Sequence, residues 1–256
     1  MKKQFPRIFL SLLLMMAFMN GGSRLSLATD FRTIPNRAFG INEYLRFSVD
    51  FGMISAGEAF LRIPEIVQVK GRPCYRIISE IRSNDFVSTF FKVDDYVESL
   101  VDVDGLFPWQ FQKRLSEGKY RSERKAVFDY TKGVVYDGRD TVSVPPFTQD
   151  VLSVFYFLRT QPLQVGATVP IDNYADGKLY PIQVKVLRRE KVKVPAGKFD
   201  CYVIEPGFRG SGIFSQKGKL EVWLTADHRK LLVKMRSQIA VGSITLELNK
   251  YRSDVK

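Results

Sequence analysis

Between Glu43 and Phe51 the chain alternates strictly: Leu45, Phe47, Val49 and Phe51 are apolar, and Tyr44, Arg46, Ser48 and Asp50 stand between them and around them. Successive side chains of an extended strand point to opposite faces, so this period of two commits the segment to a sheet with one buried and one wetter face. Gly52 and Gly57 interrupt the pattern, and Ala59 to Ile63 resumes it as the expected antiparallel partner. Strand-like segments then recur along the chain: Cys74 to Ile81, Tyr96 to Val103, Phe107 to Leu115, Arg121 to Asp129 and Gly133 to Tyr136. Beyond the middle come Thr168 to Ile171, Tyr180 to Arg188, Lys191 to Val194, Phe199 to Glu205, Leu220 to Thr225, Leu231 to Ala240 and Ser243 to Tyr251.

Short links join these segments. Asp104-Gly105, Asp137-Gly138 and Asp176-Gly177 are the dipeptides expected where a tight hairpin needs positive φ. Antiparallel strands need only such turns, whereas parallel ones require long crossovers that are mostly missing here. The fold class is therefore mainly β, a meander closing into a curved antiparallel sheet or incomplete barrel. Pro145-Pro146 divides it into two β lobes or lies within one continuous core.

One segment departs from the strand pattern. Asp150 is a good N-cap, and Val151 to Thr160 is apolar on nearly every side, which predicts a buried helix near 150–160 between sheets or plugging the mouth of a curved one. A buried central strand is the competing reading. Phe86 to Val93 is a second short helix or a bulged strand, with Phe86, Phe90 and Phe91 assigned to the core. Phe208 to Lys219 contains glycine and serine and reads as a mobile loop.

The first 28 residues set the compartment. Lys2, Lys3 and Arg7 precede an apolar run from Ile8 to Met19, and Ser26-Leu27-Ala28 offers a small-x-small cleavage site. This is the pattern of a signal peptide, and the run is shorter than the about 20 residues of a membrane-spanning helix, so no stable transmembrane anchor is expected. Residues 29–256 then form one β-rich exported domain, placed most simply in the periplasm. Removing the leader takes four basic and no acidic residues from a chain of net charge +12 and leaves about +8. Export turns that charge away from nucleic acid and toward lipid headgroups or an anionic envelope polymer. An oxidising compartment also permits Cys74 and Cys201 to pair; two buried free thiols are the alternative.

Catalytic patterns are sparse. His228 is the single histidine and sits in a turn-like stretch, Asp227-His228-Arg229, so no metal site, no serine triad and no cofactor is expected. Carboxylate pairs such as Asp94 with Asp95, Asp102 with Asp104, and Glu117 with Glu123 leave a glycan-acting hydrolase open. Lys113, Arg114, Arg121, Arg124 and Lys125 cluster across one inferred hairpin and are the candidate ligand-binding residues; Arg188, Arg189, Lys191, Lys193 and Lys198 form a second basic stretch. Charged strand faces also serve to keep sheets from associating.

From Tyr136-Asp137-Gly138 onward the chain resembles a family of exported bacterial proteins known as domain of unknown function 3108. Gln149-Asp150-Val151-Leu152-Ser153, Val194-Pro195-Ala196-Gly197-Lys198-Phe199-Asp200-Cys201, Glu221-Val222-Trp223-Leu224-Thr225-Ala226-Asp227 and Val241-Gly242-Ser243-Ile244-Thr245 carry the likeness. It extends from about Glu43 to Leu248 and implies an exported, β-rich fold without assigning a reaction or a site residue. The expected function is a non-enzymatic periplasmic protein that binds an amphiphilic or anionic envelope component. A glycan hydrolase and a protein-interaction scaffold are the alternatives.

Overall fold

The computed structural model describes residues 31–138, 140–208, 220–239 and 242–255. The stretch at 1–28 read as a signal peptide and most of the 208–219 segment read as a loop lie outside these residues. The first half of the chain supplies β1 (Tyr44–Phe51), β2 (Ile54–Arg62), β3 (Ile66–Val69), β4 (Arg72–Ser83), β5 (Asp94–Asp102), β6 (Pro108–Glu117), β7 (Tyr120–Asp129), β8 (Val134–Asp137) and β9 (Asp140–Ser143), with α1 (Asp85–Ser88) between β4 and β5. After α2 (Ser153–Thr160) follow β10 (Thr168–Ile171), β11 (Tyr174–Ala175), β12 (Lys178–Leu179), β13 (Ile182–Val194), β14 (Gly197–Phe208), β15 (Leu220–Thr225), β16 (Leu232–Ile239) and β17 (Gly242–Arg252).

Apart from the small β11–β12 hairpin, these strands form one antiparallel sheet in the order β10-β13-β14-β15-β16-β17-β1-β2-β4-β5-β6-β7-β8-β9, with β3 added to β4. The two halves of the chain are each a meander, and β17 against β1 is the seam that joins them. The sheet is curved but not closed into a barrel: its end strands, β9 and β10, are not paired to each other. Contact across the opening comes from the 145–180 connection instead. Gln149 bridges to Asn173, and the Tyr174 hydroxyl donates to Asp137 of β8 at 2.8 Å.

The alternation in β1 places Leu45 and Phe47 in the interior, where they meet residues of β2, β13–β17 and α2 in the main apolar core. Turn chemistry follows the expected rule at Asp176-Gly177, where both residues have positive φ (49° and 81°) as a two-residue type I′ hairpin requires. It departs from it at Asp104-Gly105. There the buried Asp102 carboxylate accepts from the backbone N–H groups of Asp104 (3.1 Å) and Gly105 (2.8 Å), and positive φ falls on Leu106 instead. Glycine is needed at 105 for closeness: a Cβ there would lie 2.2 Å from the Phe107 ring and 2.8 Å from the Arg32 carbonyl.

Two further expectations are corrected. Cys74 and Cys201 are free and buried. They occupy different apolar clusters, on β4 and β14, and five strands separate these in the sheet, well beyond the about 7 Å Cα separation that a disulfide tolerates. Phe86, Phe90 and Phe91 are not core: they are 63%, 78% and 52% exposed, because α1 is a single short turn projecting from the end of the sheet.

Candidate ligand-binding cavity

The concave face of the sheet does not fill completely. A cavity of about 430 Å³ lies between it and α2, within the range typical of small-molecule sites. Its walls come from alternate residues of many strands, among them Phe47, Ala59, Ile81, Val184, Val222 and Leu246, and its cover is the α2 segment through Val151, Val154, Phe155 and Leu158. Ser79, Asn173, Asp176 and Tyr180 are the polar side chains of the lining. Asn173 is buried, and its Oδ1 has no hydrogen-bond partner among the described residues.

The cover is fixed at both ends. At its start, the Asp150 carboxylate accepts from the N–H groups of Leu152 (2.8 Å) and Ser153 (2.7 Å), while the Ser153 hydroxyl accepts from the Asp150 N–H (2.8 Å). This reciprocal cap satisfies donors that a helix terminus leaves unpaired. The same carboxylate accepts from Ser99 of β5 at 2.5 Å, tying the helix to the sheet. Burial pushes Asp150 up to about 6 despite those hydrogen bonds. At the other end, Arg159 is wholly buried and donates to both oxygens of Glu43 at 2.7 Å, to the Ala38 carbonyl and to the Arg229 carbonyl. Burial alone would lower the Arg159 pKa, but Glu43 holds it above the ordinary value.

Charge gathers at the mouth. Asp176, in the β11–β12 turn, accepts from Lys113 Nζ at 2.5 Å and lies 3.8 Å from Arg124 Nε; Arg124 also reaches Asp137 at 3.2 Å. Lys113 and Arg124 are direct cross-strand partners on β6 and β7, so their side chains share a face. Arg114, Arg121 and Lys125 fall on the opposite face of the same hairpin, since parity in a strand alternates. Arg114 lies over the Tyr96 ring at 5.8 Å, and Arg121 donates to the carbonyls of Gly118 and Tyr120. The structure thus brings together Lys113 and Arg124 and separates the other three. In the second basic stretch Arg188 pairs with Glu190 and Glu221, and Arg189 with Asp200.

The residue match now decides kinship: the model of the protein family of unknown function DUF3108 covers residues 46–249. The chain belongs to the DUF3108 family. No curated protein matches it. Among solved structures, this DUF3108 protein is similar to a β-barrel-like protein of domain of unknown function DUF1849 from Brucella abortus, with a TM-score of 0.56 and 12% identity over 87% of this chain and 99% of that one. At that identity the likeness speaks for the fold alone. A protein described as exported with a YmcC-like fold from Bacteroides fragilis gives a TM-score of 0.32 (12% identity, 87% and 100% coverage). A protein described as a lipoprotein from Parabacteroides distasonis gives 0.34 (9%, 87% and 100%).

The acids singled out for hydrolysis do not reach the DUF3108 cavity. Asp102 is buried under Arg72 (2.5 Å) and the Trp109 indole N–H (3.1 Å), which outweigh desolvation and hold its pKa low. Asp94 lies 3.6 Å from Arg82, and Asp95 accepts from the Ser116 N–H. The Glu117 pKa is raised by burial and by Asp95 beside it. Among the described residues no group of His, Cys, Asp and Glu side chains is placed to hold a metal ion, and no helix is long and apolar enough to cross a membrane. His228 is exposed in the turn between β15 and β16.

Proposed function

We propose that this DUF3108 protein is a non-enzymatic, periplasmic carrier or receptor of an amphiphile, taking an apolar tail into the cavity and holding an anionic head at its mouth. The carrying observation is the arrangement of the lining: apolar walls on all strands that form it, with Lys113 and Arg124 collected at one rim around Asp176. Each methylene moved from water into such walls contributes about 0.8 kcal/mol, so tail length governs affinity. Asn173 Oδ1 offers one acceptor inside the cavity, suited to a hydroxyl or amide N–H of the ligand. The leader sequence supports export.

Titration with a fluorescent single-chain fatty acid tests the proposal, with Met235→Trp as the blocking variant because Met235 lines the cavity and is only partly buried. Saturable binding that Met235→Trp abolishes, with thermal unfolding little changed, is the expected result. Absence of binding to the parent protein, together with native mass spectra of envelope-purified protein free of bound lipid, overturns it.

A further inference from the structure

Register places three connections side by side at one end of the sheet: Phe51 pairs with Ile54, Arg82 with Asp94, and Glu117 with Tyr120, while Gly57 of β2 faces Ser83 of β4. They touch one another. Asn84 donates through its backbone N–H to Ala56 (2.9 Å) and through Nδ2 to Ser55 (2.7 Å), and Gly118 donates to the Lys92 carbonyl (2.8 Å). These tips carry large apolar side chains in water: Met53 is 103% exposed, Phe90 78%, Phe86 63%, Phe91 52% and Ile54 51%. A single exposed apolar residue is ordinary, but five on adjoining turns are a patch. The Phe86 and Phe90 rings pack edge to face at 5.6 Å, so the patch is partly preformed.

Cations border it. Lys92, Lys119 and Arg121 are exposed and, among the described residues, make no ion pair; of the nearby acids Asp94 is engaged by Arg82 and Asp85 is exposed, so the three cations outnumber the one unengaged carboxylate on the Asp85–Ser88 turn. This end also leads to the cavity mouth: Ile182 pairs with Phe208, Leu220 with Ser237, Ser237 with Ile244 and Ile244 with Phe51, so the β13 to β17 ends that line the cavity share the same rim. Projecting aromatic and aliphatic tips bordered by these cations, on a chain that keeps a net charge of about +8 without residues 1–28, match an anionic bilayer surface, where apolar groups enter the headgroup boundary and cations stay among phosphates.

We infer that the loop end formed by Gly52 to Ser55, Asn84 to Val93 and Gly118 to Arg121 docks on an anionic lipid bilayer. The docking surface is built by these turns and does not depend on what the cavity holds. It would set the mouth against the membrane from which an amphiphile is taken or to which it is given.

The test is flotation of the chain beginning at Thr29, which contains the whole compact β unit from Phe31 onward, with vesicles of phosphatidylethanolamine and phosphatidylglycerol. Binding is expected to these vesicles and to fall on phosphatidylcholine alone. Phe86→Ser with Phe90→Ser is expected to weaken it by about tenfold or more, since burying one such ring is worth more than 1.4 kcal/mol. Lys92→Glu with Lys119→Glu is expected to weaken it and to flatten its salt dependence. In Phe90→Trp, emission shifts to the blue on vesicle addition and is quenched by brominated lipid. Unchanged vesicle binding in the Phe86/Phe90 variant, no blue shift at Trp in that position, or a dimer that these same serines dissociate without any vesicle binding would each overturn the inference. Because Met235→Trp reads the cavity and Phe90→Ser reads the rim, loss of one activity with the other intact identifies which reading failed.

Discussion

Arg159 and Glu43 meet as a bidentate ion pair in the interior, both contacts at 2.7 Å, although 116 residues separate them in the chain. The pair locks the end of α2 to the start of β1, and with it the cover of the cavity to the wall of the cavity. Desolvating two charges is costly, and only good geometry with further hydrogen bonds offsets it; here Arg159 also donates to the carbonyls of Ala38 and Arg229. Removing one partner leaves a bare buried charge. Glu43→Ala or Arg159→Met is therefore expected to cost about 3 to 5 kcal/mol, read as the urea midpoint, whereas the double change Glu43→Leu with Arg159→Met recovers much of that loss. Additive losses in the double variant would contradict the account.

Asp150 makes stability depend on pH in a direction opposite to most carboxylates. Its folded pKa is about 6, above the ordinary 3.8, so the folded state holds a proton that the unfolded state releases. The stabilisation is fully present below about pH 3.8 and is lost as pH rises through about 6, amounting to about 3 kcal/mol from this group. Asp150→Asn keeps an oxygen for the Leu152 and Ser153 N–H groups and removes the titration. Denaturation series between pH 4 and 7 should show a smaller fall in the variant than in the parent, and equal slopes would refute the assignment.

Cys74 and Cys201 are each pushed up to about 12 by burial, so neither supplies thiolate near neutral pH. Both thiols should resist a disulfide reagent in the folded protein and react together in denaturant, with equal gel mobility before and after reduction. One slow and one fast thiol in the native state would place a cysteine in the wrong environment.

The helix cover was legible because local chemistry marks it: Asp150 with Ser153 makes a reciprocal cap ahead of an apolar run. The curved sheet was legible from alternation in segments such as Tyr44 to Phe51. The cavity was not, since Phe47, Ala59, Val184 and Leu246 are distant in sequence and converge only through strand order. Residue type also misled at Phe86, Phe90 and Phe91, because an aromatic side chain specifies apolar contact but not whether that contact lies inside the protein. The division of the basic hairpin was readable in principle: Lys113 and Arg114 are neighbours and must face opposite ways on a strand.

Lys113 and Arg124 should act on the head of the ligand and leave its tail alone. Both are engaged with Asp176 in the free protein, and an incoming anion competes with that carboxylate for them. Asp176 is more than half exposed, so the exchange takes place in a screened environment and each contact is worth about 1 kcal/mol, or roughly fivefold in affinity. Lys113→Ala with Arg124→Ala is expected to erase the preference for a fatty acid over the alcohol of equal chain length, with the alcohol's own affinity unchanged. Asp176→Asn releases Lys113, leaves Arg124 on Asp137 alone, and should raise fatty-acid affinity, an effect that shrinks as ionic strength rises. Competition titrations with the paired acid and alcohol measure both variants on one scale. A variant pair that loses acid and alcohol binding equally would move Lys113 and Arg124 from ligand recognition to support of the β6–β7 hairpin.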